Sequence, residues 1–284
     1  MKNKKTLITF VHFERGKLVD NHFKNQIPAD YQKKVIYTEN LNFFLAKGLT
    51  NSPNHHFNFI INSPTGGEQI PQQENISVIK GHNKGYDVGG YHQSIESSNL
   101  EEYDYFIFMN DTCRGPFLPT YLPQNLSWVD LFLDKLDDKV KMVGPTWFNK
   151  NYTPFLQEQL KVPEGQNTHI QSYCFGLDKV GLDLIRRRAK FQTRGKAQRN
   201  IIKDHEVGIG QLLIKNGYQL KPFQLSHYGN QKNEDVCHNG GYYGININPI
   251  EVMFFKTIGS GKKDPIATNC LNKYTKWTLH EEKK

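Results

Sequence analysis

The sequence predicts an α/β fold in which a mainly parallel sheet carries helices on both faces. Apolar runs of strand length recur along the first half of the chain, and helix-like segments separate them. Strand, helix and strand in succession are typical of parallel sheets, whose crossover connections cover both faces. With 284 residues, of which 37% are hydrophobic and 12% aromatic, the chain is long enough to bury such a core.

Five strands are predicted before residue 145, each of them an apolar run that ends in a polar or glycine-containing turn. They are Leu7–Phe13, Phe57–Ile61, Ile76–Ile79, Tyr105–Met109 and Val140–Val143. Short apolar runs bounded by Gly, Pro, Asn and Ser are typical of buried strands. The ends of these strands therefore predict where the polar clusters lie.

Besides a helix after residue 91, four helices are predicted from apolar spacing and from residues that start or stop a helix. They are Asn42–Lys47 before Gly48, Trp128–Leu136 after the capping Ser127, Lys179–Arg188, and Val207–Lys215 before Gly217. No repeat or low-complexity linker interrupts this pattern, so a single domain is expected.

Composition and charge narrow the class of protein. No run of eighteen apolar residues exists, and the basic start leads into a strand rather than a signal peptide, so a cytoplasmic location is expected. The four cysteines are far apart, which disfavours both a disulfide framework and a structural zinc site. We expect a reduced, soluble protein.

The net charge of +8 is concentrated in one stretch. Between Arg186 and Lys203 there are eight Lys and Arg residues and no acid. Such a stretch could bind an anionic membrane surface, a nucleic acid or a phosphorylated substrate, or simply form a solvated face. Because no nucleic-acid-binding motif accompanies the charge, nucleic acid is not expected as a partner, while peripheral membrane contact stays open.

A glycine-rich turn follows the third predicted strand. Residues 82–91, HNKGYDVGGY, precede a predicted helix. Glycines allow a tight turn and close approach of the backbone to a ligand, and the free N–H groups of a helix start bind phosphate or ribose oxygens. Asp87 could accept a hydrogen bond from a ribose hydroxyl or a base N–H. An ordinary strand-to-helix turn would also explain the glycines.

The most informative cluster ends the fourth predicted strand. Asn110, Asp111 and Thr112 follow the aromatic run 103–109 directly and precede Arg114. Ligands of open α/β sheets bind outside the carboxyl ends of the strands, and one carboxylate between two neutral oxygen ligands suits Mg²⁺ or Mn²⁺ held together with substrate phosphates. The alternative is an aspartate that only caps the next turn.

Two acids follow the basic stretch. Asp204 and Glu206 are predicted at the start of the Val207 helix, where capping and the helix dipole alone could explain them. Their functional interpretation is a general base near an acceptor hydroxyl. His227 and His238 lie in a later region rich in Gly, Asn and Tyr, and such histidines are more often plain loop residues than metal ligands.

Together these stretches resemble GT-A-type glycosyltransferases, which use nucleotide sugars. The most specific match is residues 103–112, YDYFIFMNDT, with RGPFLP at 114–119; NKGYDVGG at 83–90, EVGI at 206–209, KNGY at 215–218 and NPIEVMFFK at 248–256 match too. Similar proteins occur in algae, bacteria and large algal viruses and include rhamnan-synthesis proteins and chlorovirus glycan-building enzymes, among them a xylosyltransferase. The resemblance covers most of the chain.

The resemblance implies a GT-A-like (Rossmann-like) single domain, 1–284. Its half 1–120 would bind a UDP-sugar, and its half 121–284 would bind an oligosaccharide or glycan acceptor. It implies donor contacts for a set of residues in the first half. These are Asn83, Gly85, Asp87, Asn110, Asp111, Thr112 and Arg114.

The metal and the base also follow from the resemblance. Mn²⁺ or Mg²⁺ would bind Asp111, with His238 or His227 completing the site. The family's DxD motif, however, has aspartates where this sequence has Asn110 and Thr112, which puts strong metal binding in doubt. An inverting reaction would use Glu206 as base and Asp204 as reserve; a retaining one needs no base.

Other functions stay open at this point. The transferred sugar, with xylose as one candidate, is not readable from any motif. A nucleotidyltransferase or nucleotide-sugar hydrolase could use a similar sheet, although no second pair of carboxylates for two metals is visible. A non-catalytic glycan- or nucleic-acid-binding protein would instead use the basic stretch 186–203 and would show steep salt dependence.

Overall fold

The computed structural model describes most of the chain. The described residues are 4–13, 33–123, 126–148, 168–188, 190–193, 198–224, 248–257 and 273–279, without the side chains of 33–37, 148 and 198–199. None of the helices among them is long and apolar enough to cross a membrane.

The described residues form eleven strands. In chain order they are β1 Thr6–His12, β2 His55–Ile61, β3 Ile76–Lys80, β4 Tyr105–Asn110, β5 Cys113–Arg114, β6 Val140–Gly144, β7 Trp147–Phe148, β8 His169–Ile170, β9 Cys174–Asp178, β10 Gln219–Pro222 and β11 Phe255–Lys256. Seven of them build one central sheet, and two short antiparallel pairs, β5 with β11 and β7 with β8, lie outside it.

Helices accompany the strands in the described part. They are α1 Lys33–Lys47, α2 Tyr86–Glu96, α3 Trp128–Leu133, α4 Lys179–Arg187, α5 Gln198–Ile201, α6 Gly208–Lys215 and α7 Pro249–Val252. A 3₁₀ turn at Leu100–Glu102 and a π-helical turn at Ile202–Val207 add to them, and residues 273–279 are helical.

The central sheet has the order β10-β6-β9-β4-β1-β2-β3. The strands β3, β2, β1 and β4 are parallel neighbours, β10 is parallel to β6, and β9 runs antiparallel to both β4 and β6. The predicted α/β class with a mainly parallel sheet is therefore confirmed. The sequence analysis missed β9, which has Gly176 in its middle, and the four-residue strand β10.

The two faces of the sheet follow from the alternation of side chains along a strand. On β1, Ile8 and Phe10 pack into one apolar cluster with residues of α1 and α3, whereas Leu7 and Val11 pack into a second cluster with residues of α2, α4 and α6. Helices thus cover both faces, as predicted. All seven residues of β1 are buried, as expected for a strand in the centre of a covered sheet.

Several predicted boundaries differ from the observed ones. The predicted helix Asn42–Lys47 is only the end of α1, which begins at Lys33. The helix predicted to Leu136 ends at Leu133, although the Ser127 side chain caps it as expected by accepting a hydrogen bond from the Val129 N–H at 3.1 Å. Caps are thus predicted more securely than helix lengths, since packing decides how far a helix continues.

The position predicted for Asp204 and Glu206 is wrong in one respect. They do not start a helix, because helical backbone begins at Gln198 and continues through the π-helical turn into α6. Both acids lie within that turn, so capping of a helix N-terminus does not explain them. Single π-helical turns occur frequently at functional sites.

Candidate functional site

The carboxyl ends of β1 and β4 mark the position expected for a ligand. The chain places β2 and β3 on one side of β1 and β4 on the other, so the strand order reverses between β1 and β4. In open α/β sheets the ligand crevice lies at this reversal, outside the carboxyl ends. His12 ends β1 and Asn110 ends β4, with Asp111 directly after it.

The two motifs predicted to bind the donor meet at this edge. The Asn110 side chain donates a hydrogen bond from Nδ2 to Asp87 Oδ2 at 2.7 Å. Its Oδ1 accepts from the Thr112 N–H at 3.0 Å and from the Thr112 hydroxyl at 2.5 Å. Asn110 thus links the first turn of α2 to the turn after β4, and it positions the Asp87 carboxylate at the edge of the sheet.

The glycine-rich turn lies where it was predicted, but two of its three glycines belong to the helix that follows. Gly85 precedes α2 with φ 87°, the left-handed conformation that favours glycine. Gly89 and Gly90 lie inside α2, where a side chain would collide with the Lys84 carbonyl and with Val11 respectively. Only Gly85 serves the turn, and the other two let the helix approach the turn and the sheet closely.

Asn83 contacts the site through its backbone. Its side chain is exposed, its φ is 50°, and its N–H donates to the Asn62 side chain at 3.3 Å. The Asn62 amide in turn donates to the Tyr86 carbonyl at 3.3 Å. Asn62 follows β2, so the ends of three neighbouring strands supply polar side chains to one edge.

A buried pair lies beside this cluster. His12 Nδ1 is 2.8 Å from Asp111 Oδ2, and the same oxygen accepts the Phe13 N–H at 2.7 Å. His12 is 0% and Asp111 is 3% exposed, so both sit inside the protein. The Asp111 carbonyl accepts from Asn40 of α1 at 2.8 Å, which fixes the turn from the other face of the sheet.

Arg114 is surrounded by protein groups. Its Nε donates to Asn40 Oδ1 at 2.8 Å, and its guanidinium reaches Glu39 at 2.9 Å and the Thr275 hydroxyl at 3.1 Å. It is 3% exposed. These contacts join β5, α1 and the helical residues 273–279, which is a structural task; the contact with the donor predicted for Arg114 stays a prediction.

The predicted base lies on the same face of the sheet as Asp87. Glu206 lines a small cavity together with Val88 and Tyr91 of α2 and with Ser172. Val88 follows Asp87 in the chain. Glu206, which belongs to the second half of the chain, therefore lies near the first turn of α2. Asp204 is partly exposed, and its backbone carbonyl accepts from Lys190 Nζ at 3.1 Å.

Burial governs the titration of the groups around the cluster. Burial raises the pKa of the Cys113 thiol, and the Asp111 carboxylate raises it further. Burial likewise raises the pKa of Tyr91, with a smaller contribution from Asp87, and its hydroxyl donates to the Ser172 carbonyl at 2.9 Å. Both groups stay protonated and act as packing and hydrogen-bonding residues.

The predicted metal site fits poorly among the described residues. Asp111 Oδ2 already binds His12 and Phe13, and no group of three or more His, Cys, Asp or Glu side chains in the described part could hold a metal ion. His227 and His238 lie outside the described residues. Mn²⁺ or Mg²⁺ at Asp111 stays a prediction.

Part of the basic stretch is described. Arg186, Arg187 and Arg188 are exposed at the end of α4, and Lys190 and Lys203 are partly buried. The described residues 190–193 lie against the glycine-rich turn. This follows from Gly85, on which a side chain would collide with Thr193. The stretch is thus a solvated face at its start and packs against the glycine-rich turn further on.

Sequence reasoning missed His12, Asn40 and Asn62. His12 and Asn62 carry the signal that singled out Asn110, since each is a polar residue at the end of a buried strand. Asn40 carries no such signal, because it lies inside α1 and its role depends on the approach of β5.

Comparison with known proteins gives one family. The family model described as "RgpF: Rhamnan synthesis protein F" matches residues 59–240, which include the glycine-rich turn, the end of β4 and the π-helical turn. No curated protein matches the chain. The match covers more than half of the sequence, and the chain therefore belongs to the rhamnan synthesis protein F family, a glycosyltransferase-like family of polysaccharide synthesis.

Proposed function

We propose that this protein transfers a sugar from a UDP-sugar to a hydroxyl group of a glycan acceptor, with inversion at the transferred carbon. The observation that carries the proposal is the contact between Asn110 and Asp87 at the reversal point of the sheet. It unites two motifs predicted to bind the donor in a chain of a glycosyltransferase-like family. Xylose is one candidate for the sugar.

Donor binding uses the first half of the chain in this proposal. The Asp87 carboxylate accepts a hydrogen bond from a ribose hydroxyl or from the uracil N–H. The N–H groups at the start of the eleven-residue helix α2 bind oxygens of the diphosphate, since a helix start carries free donors and a partial positive charge. Mn²⁺ or Mg²⁺ stays a predicted cofactor on which no step here depends.

The transfer step uses Glu206 from the second half. The acceptor hydroxyl attacks the anomeric carbon, and its proton passes to the Glu206 carboxylate as the new bond to oxygen forms. The bond from the anomeric carbon to the diphosphate oxygen breaks, and UDP leaves with the electron pair. Asp204 is the reserve base, two residues away on the same π-helical turn.

Steady-state kinetics with UDP-xylose and UDP-glucose on an oligosaccharide acceptor test this role. We expect Glu206→Gln to lower kcat by about 10²–10⁴-fold, the usual contribution of a general base, with little change in donor affinity. The matched control Glu101→Gln, an exposed carboxylate on the 3₁₀ turn, keeps full activity. A Glu206→Gln protein with near-normal turnover overturns the assignment; if Asp204→Asn then loses activity, the reserve base takes its place.

A further inference from the structure

His12 has a buried ring nitrogen that no described group satisfies. Its Nδ1 is 2.8 Å from Asp111 Oδ2, whereas its Nε2 is buried and has no hydrogen-bond partner among the described residues. An unsatisfied buried acceptor or donor costs about 1–3 kcal/mol. Since His12 ends β1 at the reversal point of the sheet, a bound ligand at that edge is the natural source of a partner.

The hydrogen bonds of Asp111 indicate which nitrogen of the His12 ring carries a proton. Asp111 Oδ2 accepts the Phe13 N–H at 2.7 Å and faces His12 Nδ1. An ionised carboxylate only accepts hydrogen bonds, so Nδ1 of the ring carries the proton. In the neutral ring the other nitrogen, Nε2, then presents a lone pair and acts as an acceptor.

Strand β1, helix α1 and the residue after β11 hold this pair in place. The Asp111 N–H donates to the Val11 carbonyl of β1 at 3.1 Å, and the Asn40 side chain of α1 holds the Asp111 carbonyl. Asn40 also donates to the Thr257 hydroxyl at 2.7 Å. The buried Asp111 carboxylate fixes the orientation of the His12 ring, and neighbouring elements fix the carboxylate. The ring is therefore preorganised for one further hydrogen bond.

We propose that His12 Nε2 accepts a hydrogen bond from a hydroxyl group of the bound sugar nucleotide, either on the ribose or on the transferred sugar. Asp111 then acts as a positioning residue for His12 and does not itself contact the donor. The inference rests on the proposed function and deepens it, since it names a specificity contact within the same site.

Calorimetry on the full chain tests the proposal with four probes: UDP, 2′-deoxy-UDP, 3′-deoxy-UDP and UDP-xylose. The variant is His12→Asn, whose amide can keep the donor to Asp111 but has no atom at the place of Nε2. The matched control is His55→Asn, because His55 is also buried, hydrogen-bonded through Nδ1 to Thr50 at 2.7 Å, and located at the opposite end of the sheet.

We expect His12→Asn to weaken binding about tenfold, as the loss of one hydrogen bond predicts, and His55→Asn to leave it unchanged. If the ribose supplies the hydroxyl, the wild-type chain binds one deoxy analogue about tenfold more weakly than UDP, and His12→Asn does not distinguish the two. If the sugar supplies it, the loss in His12→Asn is confined to UDP-xylose.

Equal affinity of the wild-type chain and His12→Asn for all four probes overturns the proposal and leaves the proposed function standing. No binding of any probe to the wild-type chain overturns the proposed function and this inference with it. Should His12→Asn fail to fold, Asp111→Asn serves instead, because its amide oxygen still accepts the Phe13 N–H. The proposal then requires weaker discrimination between UDP and the relevant analogue, and unchanged discrimination overturns it.

Discussion

The Asn110 amide donates a hydrogen bond to the Asp87 carboxylate at 2.7 Å and so joins the end of β4 to the first turn of α2. The two residues are 23 positions apart in the chain, and neither motif alone distinguishes a ligand site from an ordinary turn. Their contact at the reversal point of the sheet places both in one candidate site.

Replacing Asp87 tests this site. Asp87→Asn keeps an oxygen for Asn110 but removes the negative charge, so we expect affinity for UDP to fall about tenfold, since a hydrogen bond to a charged group contributes about 1.5–3 kcal/mol. Calorimetry measures the change. The control is Asp183→Asn, a half-exposed carboxylate on α4, which leaves affinity unchanged. Equal affinity of wild type and Asp87→Asn would remove Asp87 from the donor site.

Gly85 tests the conformation of the turn. Gly85→Ala places a side chain at φ 87° and against Thr193, whereas Gly217→Ala meets the same backbone strain at φ 83° in open space. We expect Gly217→Ala to lower the free energy of unfolding by about 1 kcal/mol and Gly85→Ala by a further ~1–3 kcal/mol from overpacking. Urea denaturation compares them. Equal losses would show that residues 190–193 do not pack on the turn.

Arg114 tests the connection between α1 and β5. Arg114→Met removes the donor to the buried Asn40 Oδ1 and the partner of Glu39. We expect the free energy of unfolding to fall by about 2 kcal/mol, because a buried acceptor loses its partner. The control Lys5→Met breaks an exposed pair with Glu102 at 3.7 Å and changes stability by at most about 0.5 kcal/mol. A loss no larger for Arg114→Met contradicts the buried role.

The buried thiols give a chemical test of the core. Cys113 and Cys174 are 2% and 0% exposed, and burial raises the pKa of both thiols. Because the thiolate is the reactive form, we expect iodoacetamide to leave both residues unmodified in the native protein at pH 8 and to modify both in urea. Peptide mass spectrometry reads each site separately. Modification of Cys174 at the same rate in both conditions would contradict its place in β9.

The sequence was enough to predict those elements whose signal is local. The predicted strands Tyr105–Met109 and Leu7–Phe13 both correspond to buried strands of the sheet, β4 and β1. The antiparallel strand β9 was missed because five residues with a central Gly176 carry little periodicity. Its pairing is decided by β4 and β6 on either side, which no local pattern records.

The site was predictable in part for the same reason. A polar cluster at a strand end pointed to Asn110, and the glycine-rich turn pointed to Asp87, but the pairing of Asp111 with His12 joins residues that are 99 positions apart. The helix containing Asp204 and Glu206 begins earlier than predicted, since the polar residues of 198–206 hide its periodicity. Long-range register and packing decide these features.

Binding of nucleotide sugars tests the central claim most directly. The measurement is a calorimetric and thermal-shift panel of UDP, GDP, CDP and dTDP sugars on the full chain, each with and without Mn²⁺. We predict saturable binding of a UDP-sugar and a raised melting temperature for the wild-type chain, with both reduced in Asp87→Asn. Absence of binding to every nucleotide sugar, in either condition, would contradict the account and direct attention to glycan or nucleic-acid binding by the basic stretch 186–203.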